Sequence, residues 1–149
     1  MKINIQILPL LLAFALLSAC HHKHYTPGEF PDEQLRFGSG GGFSGAVTEY
    51  ILLENGQLFR MDSMKKDTTE IAKLPKKEAK SLLEEAEELN LEKMTIEEPG
   101  NMYYFIGMKK KEEMHKVTWG KPDYTIDAKI ESFYKKLIET TKKADKPIM

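Results

Sequence analysis

The sequence predicts an α+β fold, in which an antiparallel sheet of about five strands carries two helices on one face. Three observations predict it. Short segments of alternating apolar residues are separated by tight turns, which make neighbouring strands antiparallel. Two later segments instead repeat apolar residues at helical spacing. Because each helix has a single apolar stripe, both must pack on the sheet, which gives a two-layer sandwich.

The chain begins with the pattern of a bacterial lipoprotein signal. Lys2 supplies a positive start, residues 7–17 form an apolar run, and two small residues precede Cys20, the only cysteine among 149 residues. The run is too short for the ~20 residues that a membrane-spanning helix needs. We therefore expect residues 1–19 to be a signal peptide and Cys20 to carry lipid, so that the protein is anchored in the membrane of a bacterial envelope.

The residue after Cys20 bears on which membrane holds the protein. In the sorting rule of enteric bacteria, an aspartate at that position retains a lipoprotein in the inner membrane. This chain has His21 there. We therefore expect the outer membrane in an organism that has two membranes.

Residues 20–33 predict a flexible tether, since they contain prolines and mixed charges but no apolar period. Three histidines near its start, His21, His22 and His24, are of a type that ligates zinc, copper or nickel. No acidic or thiolate ligand accompanies them, so we interpret them as part of a solvated linker. We expect no metal and no other cofactor.

Residues 34–143 predict a single α+β domain, followed by a C-terminal tail at residues 144–149. The whole chain has 22 basic and 23 acidic residues and a formal net charge of −1. Lys2 is the only charged residue of the signal, so the mature chain is one unit more negative. A chain of this charge is not expected to bind nucleic acid.

The first part of the domain alternates in the manner of β-strands. Leu35 and Phe37 lie between polar residues and predict a short strand. Residues 39–42 predict a glycine-rich turn, and residues 44–53 predict a longer strand that follows it.

Asn55-Gly56 predicts a hairpin with a type I′ turn, because both residue types accept positive φ angles. This hairpin joins the long strand to another strand at residues 57–63. The next segment, residues 65–74, is a mostly polar connection with room for one further short strand.

The second part of the domain predicts two helices around a second hairpin. Residues 102–109 and 114–119 are the strands of that hairpin. Asp127 can cap the last helix, which ends near residue 143. The first helix spans residues 75–90, with Pro75 as its first residue and an apolar stripe of Ala79, Leu82, Leu83, Ala86 and Leu89.

Glycines recur in the spacing G-x-G-x-x-G from Gly40 to Gly45. Kinases and dinucleotide-binding folds use this spacing, but here the glycines lead into a strand, and the other kinase motifs are missing from the sequence. Two interpretations stay open: a tight connection between strands, or a backbone-rich loop that presents Phe43 to a partner. The candidate partner-binding residues are Gly41, Gly42, Phe43 and Ser44.

The domain sequence does not assemble a catalytic constellation. His115 is its only histidine, and it shares a strand face with Val117 and Trp119. Carboxylates occur mainly as adjacent pairs, whose side chains diverge on a helix or strand and do not converge on one substrate bond. We therefore expect that the protein is not an enzyme.

Five aromatic residues lie around the second hairpin. Strands favour aromatic residues for packing, whereas an exposed subset would make anchors for a protein partner. Both interpretations stay open at this point. The five are Tyr103, Tyr104, Phe105, Trp119 and Tyr124.

The order of these elements resembles emfourin, a family of small protein inhibitors of thermolysin-like metallopeptidases. The likeness covers roughly residues 34–143 and includes Gly41-Gly42-Phe43-Ser44-Gly45 after a short strand, then Leu74-Pro75 at the start of a leucine-striped helix. It implies a non-enzymatic domain that occupies a peptidase cleft. We therefore expect a lipid-anchored envelope binding module with a metallopeptidase as its partner. The alternative is a structural or small-ligand-binding envelope lipoprotein.

Overall fold

The structure is a computed structural model that describes residues 23–144. The expected signal peptide, Cys20, His21 and His22 lie outside the described residues, as does the tail after Ala144. The described residues form one mixed sheet with two α-helices and a short 3₁₀ helix at Leu91–Lys93. None of the described helices is both long enough and apolar enough to cross a membrane.

The described part of the sheet has seven strands, in the spatial order β4-β3-β2-β1-β6-β7-β5. All neighbours are antiparallel except β5 and β7, which are parallel. The strands are β1 (Gln34–Gly41), β2 (Ala46–Leu52), β3 (Gln57–Asp62), β4 (Asp67–Lys73), β5 (Glu97–Glu98), β6 (Met102–Lys110) and β7 (Glu113–Trp119), and the helices are α1 (Lys76–Glu88) and α2 (Ala128–Ala144).

The α+β class is confirmed, but the expectation of about five antiparallel strands is wrong. The additional strands are β4, which occupies the connection at residues 65–74 where there was room for one further strand, and β5. Strand β4 begins with polar residues and has no fully buried side chain, so its sequence lacks a clear apolar period. Strand β5 is two glutamates long and is defined by its backbone pairing with Thr118 and Trp119. Backbone pairing of this kind leaves little signal in side-chain hydropathy.

The hairpin at Asn55-Gly56 is confirmed, but its predicted turn type is wrong. Gly56 has a positive φ of 92°, whereas Asn55 is not among the residues with positive φ. The amide of Gly56 donates to the carbonyl of Leu53, and the amide of Leu53 donates to the carbonyl of Gln57. This pattern fits a type I turn followed by a glycine bulge, a common three-residue alternative to the type I′ turn.

The main core lies between one face of the sheet and the two helices. Leu35 and Phe37 from β1 and Ile106 from β6 are almost fully buried at its centre. Asp127 caps α2 as predicted, because its Oδ1 accepts a hydrogen bond of 2.7 Å from the amide of Lys129. An ion pair between Glu85 and Lys136 joins the two helices on the outside. The two helices therefore cover one face of the sheet, which we call the inner face, and the opposite face is the outer face.

Residues 23–33, which we call the N-terminal strap, lie against the other face of the sheet. Tyr25 is buried there beside Ile51 and Phe59, and the ring centroid of Phe30 is 4.8 Å from that of Phe59. The amide of Tyr25 donates to Gln57 Oε1 at 2.8 Å, and Gln57 Nε2 donates to the carbonyl of Tyr25 at 3.1 Å. Within this segment Tyr25 and Phe30 contact the sheet, whereas most of the other residues are exposed. The flexibility of the tether stays a prediction.

Replacing Gln57 with alanine should detach the strap. Gln57 is fully buried, and its side chain satisfies both backbone groups of Tyr25. Leaving those groups unpaired should lower the free energy of unfolding by about 2–3 kcal/mol, measured by urea denaturation. Thr26→Ala removes only an exposed hydrogen bond to Glu29 and should have little effect. Equal stability of the two variants would contradict this assignment.

Replacing Thr118 with valine should stabilise the protein. Thr118 Oγ1 is buried in β7 without a hydrogen-bond partner, and valine has nearly the same shape and a high strand propensity. Removing the unpaired hydroxyl should raise the free energy of unfolding by about 1 kcal/mol. Thr141→Val is the matched control, because the buried Thr141 hydroxyl donates to the carbonyl of Ile138. A loss of stability in Thr118→Val would show that its hydroxyl is paired.

Candidate functional site

Four large exposed hydrophobic side chains lie at one end of the sheet. This end, which we call the loop end, consists of the β1–β2 turn at residues 42–45, the β3–β4 turn at residues 63–66 and the start of β6. A fifth exposed hydrophobic residue, Met114, lies at the opposite end, where β7 begins. The four at the loop end are Phe43, Met64, Met102 and Tyr104. Clustered apolar exposure of this kind is typical of an interaction site.

The β1–β2 turn needs glycine at several positions. Gly41, Gly42 and Gly45 have positive φ angles of 100°, 72° and 63°, a region that residues with a Cβ rarely adopt. A Cβ on Gly41 would also lie 2.0 Å from the carbonyl oxygen of Asn101. Turn geometry and the close approach of the chain at the start of β6 therefore explain why glycine occupies these positions. A nucleotide-binding role is not needed to explain them.

The turn is braced by neighbouring segments on both sides. The amide of Gly42 donates to the carbonyl of Asn101 at 2.7 Å, and the amide of Val47 donates to Ser63 Oγ at 2.8 Å. Ser44 Oγ accepts a hydrogen bond of 3.2 Å from the amide of Ala46 within the turn. The backbone that carries Phe43 is thus fixed to β6 and to the β3–β4 turn.

Phe43 itself is fully exposed at the tip of this turn, with a relative accessibility of 111%. A buried phenylalanine removes at least 150 Å² from water, which is worth about 4 kcal/mol at 25 cal/mol per Å². Phe43 realises none of this gain within the described fold. A partner pocket that covered the ring would gain it.

Beneath the loop end, three aromatic rings pack between the sheet and α2. Tyr104, Trp119 and Tyr134 have pairwise ring centroid distances of 5.2 to 6.0 Å. The Tyr134 hydroxyl donates to the carbonyl of Gly38 at 3.1 Å, and burial raises the pKa of Tyr134 to about 12. Trp119 is buried in the core, whereas Tyr104 keeps 38% of its surface exposed. These three packed rings therefore support the loop end from the inner face of the sheet.

The aromatic residues on β6 divide between the two interpretations, packing within the sheet and exposure as anchors for a partner. Phe105 is buried on the outer face, where its ring lies over Gly38, and the ring of Tyr103 lies over Gly40. Both rings fill the space that the missing glycine side chains leave on β1. Tyr104 points to the inner face and is open at the loop end. Packing explains Phe105 and Tyr103, and only Tyr104 belongs to the exposed set.

A shallow hollow of about 390 Å³ lies on the outer face, in the part of the sheet that the strap leaves open. Arg36 and the nearly buried Glu49 line it, with 3.4 Å between Arg36 Nη1 and Glu49 Oε1. Lys116 stands over the Phe105 ring at 5.5 Å. The remaining lining residues are Val47, Tyr103, Lys109 and Met114. This hollow is a second candidate site, which the sequence did not reveal because its residues come from four strands.

His115 lies far from the loop end, near the start of β7. Its Nε2 is 3.5 Å from Glu113 Oε2, and it shares the inner face with Val117 and Trp119, as predicted. His24, in the strap, lies 3.5 Å from Glu70 Oε2. Within residues 23–144, no group of three or more histidine, cysteine, aspartate or glutamate residues is arranged to hold a metal ion.

No protein-family model matches the chain, and no curated protein matches it either.

The stability of the protein should fall at alkaline pH because of Tyr134. Its pKa is raised from 10.0 to about 12, so the folded state favours the protonated phenol. The stabilisation of the folded state by the protonated phenol is complete below pH 10 and is lost as the pH rises towards about 12. Urea denaturation across this range should show the loss, and Tyr134→Phe should reduce it. An unchanged pH dependence in the variant would contradict the assignment to Tyr134.

Proposed function

We propose that the chain is a lipid-anchored binding module of the bacterial envelope, and that it inhibits a thermolysin-like metallopeptidase with its loop end. The observation that carries this proposal is the fully exposed Phe43 on a braced turn. The lipoprotein-signal pattern that ends at Cys20 supports the anchor. The resemblance of the element order to emfourin supports a peptidase as the partner.

The bracing of the turn favours a binding role for Phe43. A large side chain held on a fixed backbone loses little conformational entropy when it enters a pocket, so more of the contact energy appears as affinity. The hydrogen bonds from Gly42 to Asn101 and from Val47 to Ser63 supply this fixed backbone. Protease inhibitors are commonly pre-organised in this way and move little on binding.

The shape of the loop end fits a cleft. Phe43 projects from the tip of the β1–β2 turn, and Met64 and Met102 are exposed at the same end of the sheet. In such an arrangement a central aromatic anchor enters a pocket, while the surrounding apolar contacts exclude water from it. Methionine side chains adapt easily to the shape of a partner surface. A concave peptidase active site is therefore a suitable partner for this convex end.

We propose a binding role rather than catalysis. The candidate general base in the described domain is His115, and it lies at the other end of the sheet from Phe43. The only hydroxyl in the exposed turn, that of Ser44, accepts a hydrogen bond from the amide of Ala46. Glu113 lies beside His115, but Ser44 lies at the opposite end of the sheet, so the nucleophile and the base that nucleophilic catalysis needs are not brought together.

Phe43→Ala should weaken inhibition of a thermolysin-like peptidase. Truncating a central aromatic anchor costs 2 kcal/mol or more, which corresponds to a loss of affinity of about thirtyfold. The measurement is the inhibition constant of the protein against peptidase activity on a peptide substrate. Met114→Ala, at the opposite end of the sheet, is the matched control and should inhibit as the natural chain does. Absence of inhibition by the natural chain at micromolar concentration would reject the peptidase partner.

A small-ligand-binding role is a second candidate, and the outer-face hollow favours it. Arg36, Lys109 and Lys116 give the hollow an excess of positive charge over Glu49, and Phe105 gives it an apolar floor. An anionic ligand with an apolar part would suit this lining. Lys116→Ala should then abolish a ligand-induced rise in melting temperature, while Phe43→Ala should leave that rise unchanged. The reverse pattern would reject this alternative.

A further inference from the structure

The N-terminal strap enters the fold at the end of the sheet that is opposite to Phe43. The side-chain amide of Asn55 donates to the carbonyl of Lys23 at 2.8 Å, and Asn55 lies in the turn between β2 and β3. Phe43 lies in the turn between β1 and β2, at the other end of β2. The two turns are separated by the seven residues of β2, a length of roughly 23 Å at 3.3 Å per residue. We call the end with Asn55 the anchor end.

The position where the strap meets the sheet is fixed by several contacts. Tyr25 exchanges two hydrogen bonds with Gln57, and its side chain is 6% exposed. Asn55 Nδ2 also donates to Gln57 Oε1 at 2.6 Å, so the contacts to Lys23 and Tyr25 belong to one network. Further along, Phe30 packs on Phe59. Lys23, the first described residue, therefore lies at the anchor end.

We propose that the lipid on Cys20 holds the anchor end against the membrane, so that the Phe43 loop faces away from the lipid. This inference rests on the lipid anchor in the proposed function. Cys20 precedes Lys23 by three residues, which span at most about 10 Å when fully extended. The anchor end is thus restricted to the membrane surface, while the loop end stands about one strand length further out.

This orientation limits the kind of partner that the loop end can bind. A partner must approach from the aqueous side, as a soluble protein does, or must project at least as far from the membrane as the β2 strand is long. A secreted peptidase meets this condition. A protein buried within the bilayer does not meet it.

Single-cysteine labelling of the lipidated full-length protein in vesicles tests the orientation. Met64→Cys places a thiol in the β3–β4 turn at the loop end, and Glu112→Cys places one in the β6–β7 turn at the anchor end. Both positions are exposed turn residues, and a Cys20 whose sulfur carries the lipid does not react with the fluorescent label. The vesicles contain lipids with a spin-labelled headgroup, which quenches nearby fluorophores.

The label at position 112 should lose fluorescence in these vesicles, while the label at position 64 should not. Adding Gln57→Ala should reduce the difference between the two positions, because detaching the strap allows the domain to turn. Equal quenching at both positions, or stronger quenching at position 64, would overturn the orientation in a protein that floats with the vesicles. If the natural chain instead fails to float and takes the label on Cys20, the lipid anchor fails and the orientation fails with it.

Discussion

The structure depends on the double pairing of β1, which lies at the centre of the sheet. Residues Gln34–Gly41 pair with β2 on one side and with β6 on the other over nearly their whole length. The side chains of Leu35 and Phe37 are buried in the core on one face of this strand. On its other face, Gly38 and Gly40 leave room for the aromatic rings of β6. Because both neighbours are fixed by one strand, the end of β1 also sets where the Phe43 turn is placed.

The same strand connects the attachment of the strap with the turn that carries Phe43. At its start, Gln34 bonds the carbonyl of Pro31 at the end of the strap. At its other end, Gly41 continues into the turn that carries Phe43. Between these ends lies the buried centre, so the exposed apolar groups are supported by a part of the fold that is difficult to deform. The exposed site and the attachment of the strap are therefore rigidly related through β1.

Local sequence patterns predicted the elements that have a clear period. The two helices follow from apolar residues at helical spacing, and Asp127 marks the start of α2 through its capping side chain. The strap was missed because Tyr25 and Phe30 contact Gln57 and Phe59, which follow about 30 residues later in the chain. Such contacts have no local signal. The Phe43 turn was predicted from its glycines, but its grouping with Met64 and Met102 depends on strand pairing that single-sequence patterns do not specify.

Strand β4 forms one border of the sheet, and its backbone groups on the outer side have no strand partner among the described residues. An open border of this kind is a template for edge-to-edge association, and charged side chains along it discourage that association. Strand β4 carries Asp67, Glu70 and Lys73. Molecules confined to a membrane plane meet each other far more often than molecules free in solution. For the membrane-anchored protein proposed above, the charged residues of β4 would discourage neighbouring copies from pairing along this edge.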